Sequence, residues 1–322
     1  MNTTPAPAGT ILDTYRHVTV VGAGVIGASW TALFLARGLT VTVNDPLPDA
    51  EKHVRDQLRD ITPALSALSL PATDLTRNLR FETDLGTAVA NADVIQENGP
   101  ERLDFKQDLF TRIEQATRPD TLLLTSTSGI RATDIAEAMK QPGRLVVGHP
   151  FNPPHLLPLV EVVPGEKTDP ATVERAVAFY TALGKKPQVL RKEVPGFVAN
   201  RLQAALFREA ISLVARGVVT ESQLDDIVTS SIGLRWAVEG PFRTFALGGG
   251  PGGLPHFLEH LGPGLQSLWD DLGTPTFDEP TVRLLSRQAV SDVPIDTLAA
   301  QRDRAQIKVM HALGETPHDA ST

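Results

Sequence analysis

A glycine-rich turn lies between two runs of β-branched residues near the start of this chain. Over residues 17–45, a short β-branched run leads into the turn VVGAGVIG, a helix-length segment and a second β-branched run that ends at Asp45. This order predicts a strand–helix–strand unit whose two strands lie parallel in one sheet. The chain is therefore expected to begin with an α/β domain.

Strand-like and helix-like segments continue to alternate as far as residue 190. Further strands are predicted at 78–82, 93–97, 120–125, 144–148, 157–163 and 187–191, and helices at 84–91, 102–117, 131–140 and 170–183. The pattern predicts a Rossmann domain, an α/β domain with a doubly wound, mostly parallel sheet. Beyond residue 192 the β-branched runs disappear, which indicates an all-α C-terminal domain.

These patterns divide the chain into predicted segments. They are a disordered leader (1–15), the Rossmann domain (16–191) with a helical excursion (48–78), a helical substrate and dimerisation domain (192–314), and a tail (315–322). Within the helical domain, the segment GGGPGGLP (248–255) is rich in glycine and proline and predicts a loop.

The glycine-rich turn also predicts a dinucleotide site. In the spacing G-x-G-x-x-G, the first glycine permits the tight turn, the second lets a pyrophosphate approach the backbone, and the third allows close packing of helix on strand. Asp45 would accept hydrogen bonds from ribose hydroxyls and repel a 2′-phosphate, which favours NAD over NADP; FAD uses the same fingerprint. The predicted cofactor contacts in this unit are Gly22, Gly24, Val25, Ile26, Gly27 and Asp45.

Composition narrows the class of protein. The 322 residues carry a formal charge of −8 with 41% hydrophobic residues, and no block of lysine and arginine occurs. Nucleic acid and anionic membranes both require a concentrated basic face, so a small-molecule partner is favoured. The chain has no cysteine, which excludes disulfides and thiolate metal sites and agrees with a cytoplasmic location. We expect no metal cofactor and no membrane-spanning segment.

A histidine and a glutamate stand out in the segment GHPFNPPHLLPLVEVV. His149 follows a strand-like run, and Glu161 occupies the middle of a later apolar run, LPLVEVV. Oxidation of an alcohol by NAD requires a base near neutral pH, a role that suits histidine. A carboxylate bonded to the far ring nitrogen would orient that base and stabilise its charged form, which would explain a charge among apolar residues.

Four motifs occur in order: VGAGVIG, TSTSG, GHPFNP with LPLVEVV, and VPGFVANR. Together they resemble the L-3-hydroxyacyl-CoA dehydrogenase superfamily over residues 17–312. The resemblance implies that His149 is the general base and Glu161 its orienting partner, and that the helical domain pairs two chains into a homodimer. The other residues that it places at the active site are Ser128, Asn152 and Asn200, with Glu101 and Lys106 beside the nicotinamide ribose.

The stretch SIGLRWAVEGPFRTF (231–245) resembles the branch that contains L-carnitine 3-dehydrogenase and L-gulonate 3-dehydrogenase, the lambda-crystallin relatives. Residues 49–80 carry five acidic and five basic residues, so they lack the net positive charge that a CoA polyphosphate would favour. Arg235 could hold a carboxylate through two parallel hydrogen bonds, and aromatic faces could hold a quaternary ammonium group. The predicted substrate contacts are Ser128, Phe151, Asn200, Arg235, Trp236 and Phe242.

Three functions remain open from the sequence. The favoured function is NAD-dependent oxidation of the 3-hydroxyl group of a small, carnitine-like hydroxy acid, or the reverse reduction. The second keeps this chemistry but acts on gulonate, or on a hydroxyacyl group carried by CoA or a carrier protein. The third is a non-catalytic, crystallin-like NAD-binding protein. Carnitine, gulonate and a thioester differ in charge and size, so turnover of a substrate panel would distinguish them.

Overall fold

The computed structural model of the chain describes residues 8–289 and 293–314. Residues 1–7 of the predicted leader and the predicted tail at 315–322 lie outside these ranges. The chain divides into two compact units, of which the first comprises Met1–Phe197 together with Ala299–Thr322, and the second comprises Val198–Leu298.

The first unit contains an eight-stranded sheet in the order β3-β2-β1-β4-β5-β6-β7-β8. All neighbouring strands are parallel except β6 and β7, which are antiparallel. The sheet therefore confirms the doubly wound, mostly parallel prediction. The strands are β1 His17–Val21, β2 Thr40–Asn44, β3 Leu79–Phe81, β4 Val94–Glu97, β5 Leu122–Thr125, β6 Leu145–Pro150, β7 Leu159–Pro164 and β8 Lys186–Val189.

Helices cover both faces of this sheet. The helices of the first unit are α1 Ala8–Thr14, α2 Val25–Ala36, α3 Ala50–Ala67, α4 Leu85–Val89, α5 Leu103–Ala116, α6 Ala132–Ala136 and α7 Pro170–Ala182. Alternate residues of one strand pack on opposite sides: Leu122 and Leu124 join one apolar cluster, with α2, α3 and α7, whereas Leu123 joins another, with α4, α5 and α6. Because both faces of the sheet are covered, β4, β5 and β6 are buried at every position.

The predicted excursion between β2 and β3 is helical. It consists of α3 and a 3₁₀ turn at Leu75–Asn78. One face of α3 carries Val54, Leu58 and Leu65, all buried in the cluster that α2 shares. Spacings of three, four and seven residues place such side chains on one face of a helix, so the excursion is held by the same core as the sheet.

The second unit is helical in all its described elements. They are α8 Ala199–Ala215, α9 Glu221–Ser230, α10 Ile232–Val238, α11 Pro241–Gly248, α12 Gly253–Asp271 and α13 Glu279–Gln288, and a last helix, α14 Ile295–Ala312, crosses into the first unit. At the start of α9, Thr220 and Gln223 bond each other's backbone N–H groups in a capping box, which satisfies two donors that the helix leaves open.

The structure differs from two of the predicted segment boundaries. Part of the predicted disordered leader, Ala8–Thr14, is helix α1, and Tyr15 after it is buried against the ring of Phe179 at 5.6 Å. The predicted helical domain of 192–314 is shorter at both ends, because the chain from Ala299 onward belongs to the first unit, where Ile307 and Met310 of α14 enter its main apolar cluster. Distant packing partners fixed both segments.

The predicted loop at 248–255 is also wrong. Gly248 ends α11, Gly250–Gly252 form a 3₁₀ turn, and α12 begins at Gly253. A Cβ atom at Gly249 would lie 1.9 Å from the carbonyl oxygen of Gly253. The glycine at this position therefore permits a close approach between two backbone segments, whereas the prediction took it as a sign of irregular structure.

Candidate active site

The glycine-rich turn between β1 and α2 is built around close backbone approaches. Gly22 has a φ of 96°, and a Cβ atom there would lie 2.8 Å from the carbonyl carbon of Asn98. A Cβ atom at Gly27 would lie 1.9 Å from the carbonyl oxygen of Gly22. At Gly24, in contrast, a Cβ atom would meet nothing within 4 Å. The open space at Gly24 is the place where a pyrophosphate could approach the start of α2.

Asp45 lies after β2 and holds the turn in place. Its carboxylate accepts the N–H of Ala23 at 2.8 Å through Oδ2 and the N–H of Leu47 at 2.9 Å through Oδ1. The side chain of Asp45 is partly exposed beside the glycine-rich turn. A bound ribose would thus meet a carboxylate whose position two backbone donors have already fixed.

Glu101 organises the loop after β5. One of its carboxylate oxygens accepts the Oγ1–H of Thr127 at 2.6 Å, the N–H of Ser128 at 2.9 Å and the N–H of Gly129 at 3.1 Å. The structure thus brings together two residues that the sequence placed at the active site, Glu101 and Ser128. Thr127, which the sequence analysis did not single out, connects them.

Lys106 is fully buried and forms an ion pair that the sequence analysis missed. Its Nζ lies 2.7 and 2.8 Å from the two carboxylate oxygens of Glu97, a residue that is also fully buried. It lies 3.8 Å from the carboxylate of Glu101. Glu97 is the last residue of β4. A charged residue in a strand-like run was the sequence signal that could have indicated this ion pair.

His149 and Glu161 face each other across the antiparallel pair β6–β7. They are directly opposed in the register, and Nδ1 of His149 lies 2.9 Å from a carboxylate oxygen of Glu161. Both side chains are almost fully buried, with 6% and 3% exposed. A buried carboxylate on Nδ1 leaves Nε2 to accept a proton from a substrate and can stabilise the imidazolium that results.

Two aromatic rings pack against the imidazole. The ring centroids of Phe151 and Phe197 each lie 5.4 Å from that of His149. Phe197 is fully buried and has a φ of 51°, a backbone conformation that is strained for a bulky residue. It belongs to the quoted motif VPGFVANR, but nothing in that motif indicates a contact with His149. Ser128 and Asn152 are both exposed.

The remaining predicted substrate residues belong to the second unit. Asn200 lies in the first turn of α8, and Phe242 on α11 is 78% exposed. Trp236 on α10 is 42% exposed, and Arg235 beside it lines a concave surface of about 430 Å³. Trp236 and Phe242 do not line that surface. It is formed by Leu234, Arg235, Val238, Glu239, Thr244, Leu247 and Gly248.

The glycine-rich turn, the acidic residue after β2 and the α/β topology fit a dinucleotide at the carboxyl edge of the sheet. The family model described as "3-hydroxyacyl-CoA dehydrogenase, NAD binding domain" matches residues 17–194, and "3-hydroxyacyl-CoA dehydrogenase, C-terminal domain" matches residues 196–272. This chain belongs to the 3-hydroxyacyl-CoA dehydrogenase family. It is therefore an NAD-dependent oxidoreductase that acts on a CH–OH group, and NAD is its cofactor.

Individual relatives agree with this family. An L-carnitine dehydrogenase of Streptomyces griseus is 46% identical, over 99% of this chain and 96% of its own length. A 3-hydroxyacyl-CoA dehydrogenase of Gibberella moniliformis is 42% identical, over 92% of this chain and 94% of its own length. Among solved structures, an NAD-dependent dismutase, 5-formyl-3-hydroxy-2-methylpyridine 4-carboxylic acid 5-dehydrogenase, is 32% identical with a TM-score of 0.81, over 93% of this chain and 98% of its own.

No group of three or more histidine, cysteine, aspartate or glutamate side chains within residues 8–289 and 293–314 is arranged to hold a metal ion. Within the same ranges, no helix is both long enough and apolar enough to cross a membrane.

The glycine-rich turn yields a prediction with a built-in control. Gly24→Ala should leave the folding free energy within about 0.5 kcal/mol of the native value, because the added methyl group meets open space. It should weaken NAD binding about tenfold or more, since the methyl group occupies the approach to the pyrophosphate. Titration calorimetry with NAD and thermal unfolding would measure the two effects.

Gly27→Ala is the matched control for this prediction. Its Cβ atom would collide with the carbonyl oxygen of Gly22, so it should lower stability as well as NAD affinity. Native NAD affinity in the Gly24→Ala protein would show that the pyrophosphate does not approach the backbone at Gly24.

Proposed function

We propose that this chain oxidises the 3-hydroxyl group of a small, carnitine-like hydroxy acid, with His149 and Glu161 as an acid–base dyad. The observation that carries this proposal is the buried bond of 2.9 Å between Nδ1 of His149 and the Glu161 carboxylate. Burial of a carboxylate among strand residues is costly unless a partner offsets it. A base that becomes positively charged during the reaction is such a partner.

The proposed mechanism assigns one task to each residue. NAD supplies the hydride acceptor when it is bound. His149 accepts the substrate hydroxyl proton on Nε2, and Glu161 holds the ring by Nδ1 and stabilises its positive charge. Ser128 and Asn152 would bond the reacting oxygen, while Phe151 and Phe197 hold the imidazole from two directions. In the reverse direction His149 returns the proton.

The cofactor would lie along the carboxyl edge of β1, β2 and β4. Gly22, Gly24 and Gly27, with Val25 and Ile26, would hold the pyrophosphate, and Asp45 the adenosine ribose. Glu101 would contact the nicotinamide ribose. Lys106 would act behind Glu101, because its buried ammonium is paired with Glu97 and lies 3.8 Å from the Glu101 carboxylate.

Two observations favour a free acid over a CoA thioester as the substrate. The relative from Streptomyces griseus, which covers almost all of this chain, is an L-carnitine dehydrogenase. In addition, the basic residues of α3 are already paired within the helix: Lys52 and Arg59 bond Asp56, and Arg55 bonds Glu51. Such pairs leave little net positive charge for a polyphosphate. The Gibberella moniliformis relative keeps a 3-hydroxyacyl-CoA substrate as the second candidate.

The substrate carboxylate is assigned to Arg235 in this proposal. Arg235 is exposed on α10 and forms no side-chain hydrogen bond or ion pair within the described part of the chain. Asn200, Trp236 and Phe242 would complete the site, and an aromatic face would suit the quaternary ammonium of carnitine. The assignment is supported by the pairing of a guanidinium with a carboxylate, and by the resemblance of residues 231–245 to the carnitine branch.

Pairing of two chains through the helical unit is also part of the proposal. The second unit leaves many large apolar side chains exposed, including Phe207 at 56%, Leu268 at 55%, Trp269 at 60% and Phe277 at 73%. Apolar area on this scale usually marks an interface. We therefore expect a homodimer. We also expect a cytoplasmic location, with which the absence of cysteine agrees. Sedimentation equilibrium should give twice the chain mass of 34.6 kDa; a monomer at micromolar concentration would contradict the pairing.

The dyad can be tested by substitution. His149→Gln should lower kcat about 100- to 10,000-fold, the range expected for loss of a general base. Glu161→Gln should cause a smaller loss, because the imidazolium keeps its ring contacts but loses its countercharge. Both variants should bind NAD as the native protein does. Formation of NADH at 340 nm with L-carnitine measures turnover, and native turnover in the His149→Gln protein would disprove the mechanism.

The substrate assignment can be tested at Arg235. Arg235→Lys should raise KM for L-carnitine about tenfold, because an ammonium group cannot reproduce both parallel hydrogen bonds of a guanidinium group. Arg283→Lys is the matched control, since Arg283 is exposed and paired with Glu279 on α13. Better turnover of 3-hydroxybutyryl-CoA than of any free acid, with no response at Arg235, would instead support the thioester function.

A further inference from the structure

The segment that connects β6 to β7 runs from Phe151 to Pro158, between the two members of the dyad. It carries Asn152 at its exposed start, yet Pro153, Pro154, His155 and Leu156 are all buried. Loops normally lie on the surface, where water satisfies their backbone groups. A buried loop needs partners from the protein for its N–H and C=O groups, and here the partners are a residue of α2 and the residue immediately before β8.

The first partner is Ser29 on α2, the helix that follows the glycine-rich turn. Ser29 is 1% exposed, and its Oγ accepts the backbone N–H of His155 at 2.8 Å. The same Oγ lies 2.8 Å from Nδ1 of the His155 ring. Burial, with Lys185 and Arg302 nearby, lowers the pKa of His155 to about 3, so this ring is neutral at physiological pH. The Ser29 hydroxyl group thus contacts both the backbone and the ring of His155.

The second partner is Lys185, immediately before β8. Lys185 is 7% exposed, and its Nζ donates to the carbonyl oxygens of Leu157, at 2.8 Å, and Pro154. It also lies 5.5 Å from the ring centroid of Trp30. Burial and the nearby charge of Arg37 lower the pKa of Lys185 to about 7. Charged or neutral, the group keeps at least two N–H donors, so it can hold both carbonyls on either side of neutral pH.

We propose that Ser29, His155 and Lys185 form a loop anchor that positions Asn152 and the His149 end of β6 for hydride transfer, and that ties them to the dinucleotide-binding helix. The three are positioning residues, because none of them is placed in contact with the reacting atoms. This inference rests on the proposed roles of His149 and Asn152. Since α2 begins at the turn that approaches the pyrophosphate, the anchor couples the position of the cofactor to that of the base.

The pair Ser29–His155 gives the sharpest test. Ser29→Ala removes both bonds without adding volume, and we expect kcat to fall about 10- to 100-fold, the cost of misplacing reacting groups by about an ångström. KM for the hydroxy acid and the dissociation constant for NAD should each change less than about threefold, because the binding contacts stay in place. Thr31→Val is the control on the same helix: Thr31 is buried and its Oγ1 has no hydrogen-bond partner among the described residues, so kcat should not change.

Two substitutions of His155 separate positioning from packing. Asparagine places a polar atom where Nδ1 of His155 lies, so it can keep the side-chain bond to Ser29. Leucine has a volume similar to that of histidine but cannot form this bond. His155→Asn should retain kcat within about threefold, whereas His155→Leu should lower kcat by more than this but by no more than Ser29→Ala, because it keeps the backbone N–H bond to Ser29. The double variant Ser29→Ala/His155→Leu should lose no more than Ser29→Ala alone, because Ser29→Ala already removes the ring bond that His155→Leu removes.

Two sets of results would contradict the loop anchor. Equal kcat values in His155→Asn and His155→Leu, or a native kcat in Ser29→Ala, would overturn the loop anchor. The loop anchor would also be overturned, in favour of simple packing, if kcat fell only in parallel with the melting temperature and the losses in kcat were additive in the double variant. The proposed function fails independently, if His149→Gln keeps native turnover, so the two failures can be told apart.

Discussion

The antiparallel pairing of β6 with β7 places His149 directly opposite Glu161 inside a sheet that is otherwise parallel. A parallel connection would need a crossover helix and would put the next strand end at the same edge of the sheet. The direct return through residues 151–158 instead lets one strand carry the base and its neighbour carry the carboxylate. Because both side chains are nearly excluded from water, their bond is short, oriented and little affected by solvent screening.

The carboxyl edge of the sheet is fixed by charged groups that are themselves held by the backbone. Asp45 accepts two N–H groups beside the glycine-rich turn, and Glu101 accepts two N–H groups and the Thr127 hydroxyl from the loop after β5. Behind them lies the buried pair Glu97–Lys106. Removal of one partner of such a pair would leave an uncompensated buried charge. The pair therefore holds both side chains in place, although it adds little to the net stability of the fold. Preorganisation of this kind suits a site that must align a cofactor with a base.

Local sequence patterns predicted most of the first unit. Each predicted strand from residue 78 to residue 191 has a counterpart in the sheet, with ends displaced by at most two residues. The errors arose where long-range packing overrode local composition. Residues 8–14 were read as disordered, but a helix there leads to Tyr15, which packs on Phe179. The glycines of segment 248–255 predict a loop, whereas Gly249 permits a close backbone contact at the junction of α11 and α12.

Residue patterns within single segments were enough to predict the strand–helix–strand unit, the glycine-rich turn with Asp45, and a histidine and a carboxylate suited to act together. These features depend on residue type and on short spacings, which local conformational preferences translate directly into structure. The packing of separate elements, in contrast, establishes that Lys106 pairs with Glu97, that Phe197 packs on His149, and that Ser29 bonds His155 across 126 residues of chain. A side chain's partner across the core depends on how separate elements pack, and no periodicity in one segment encodes the position of another.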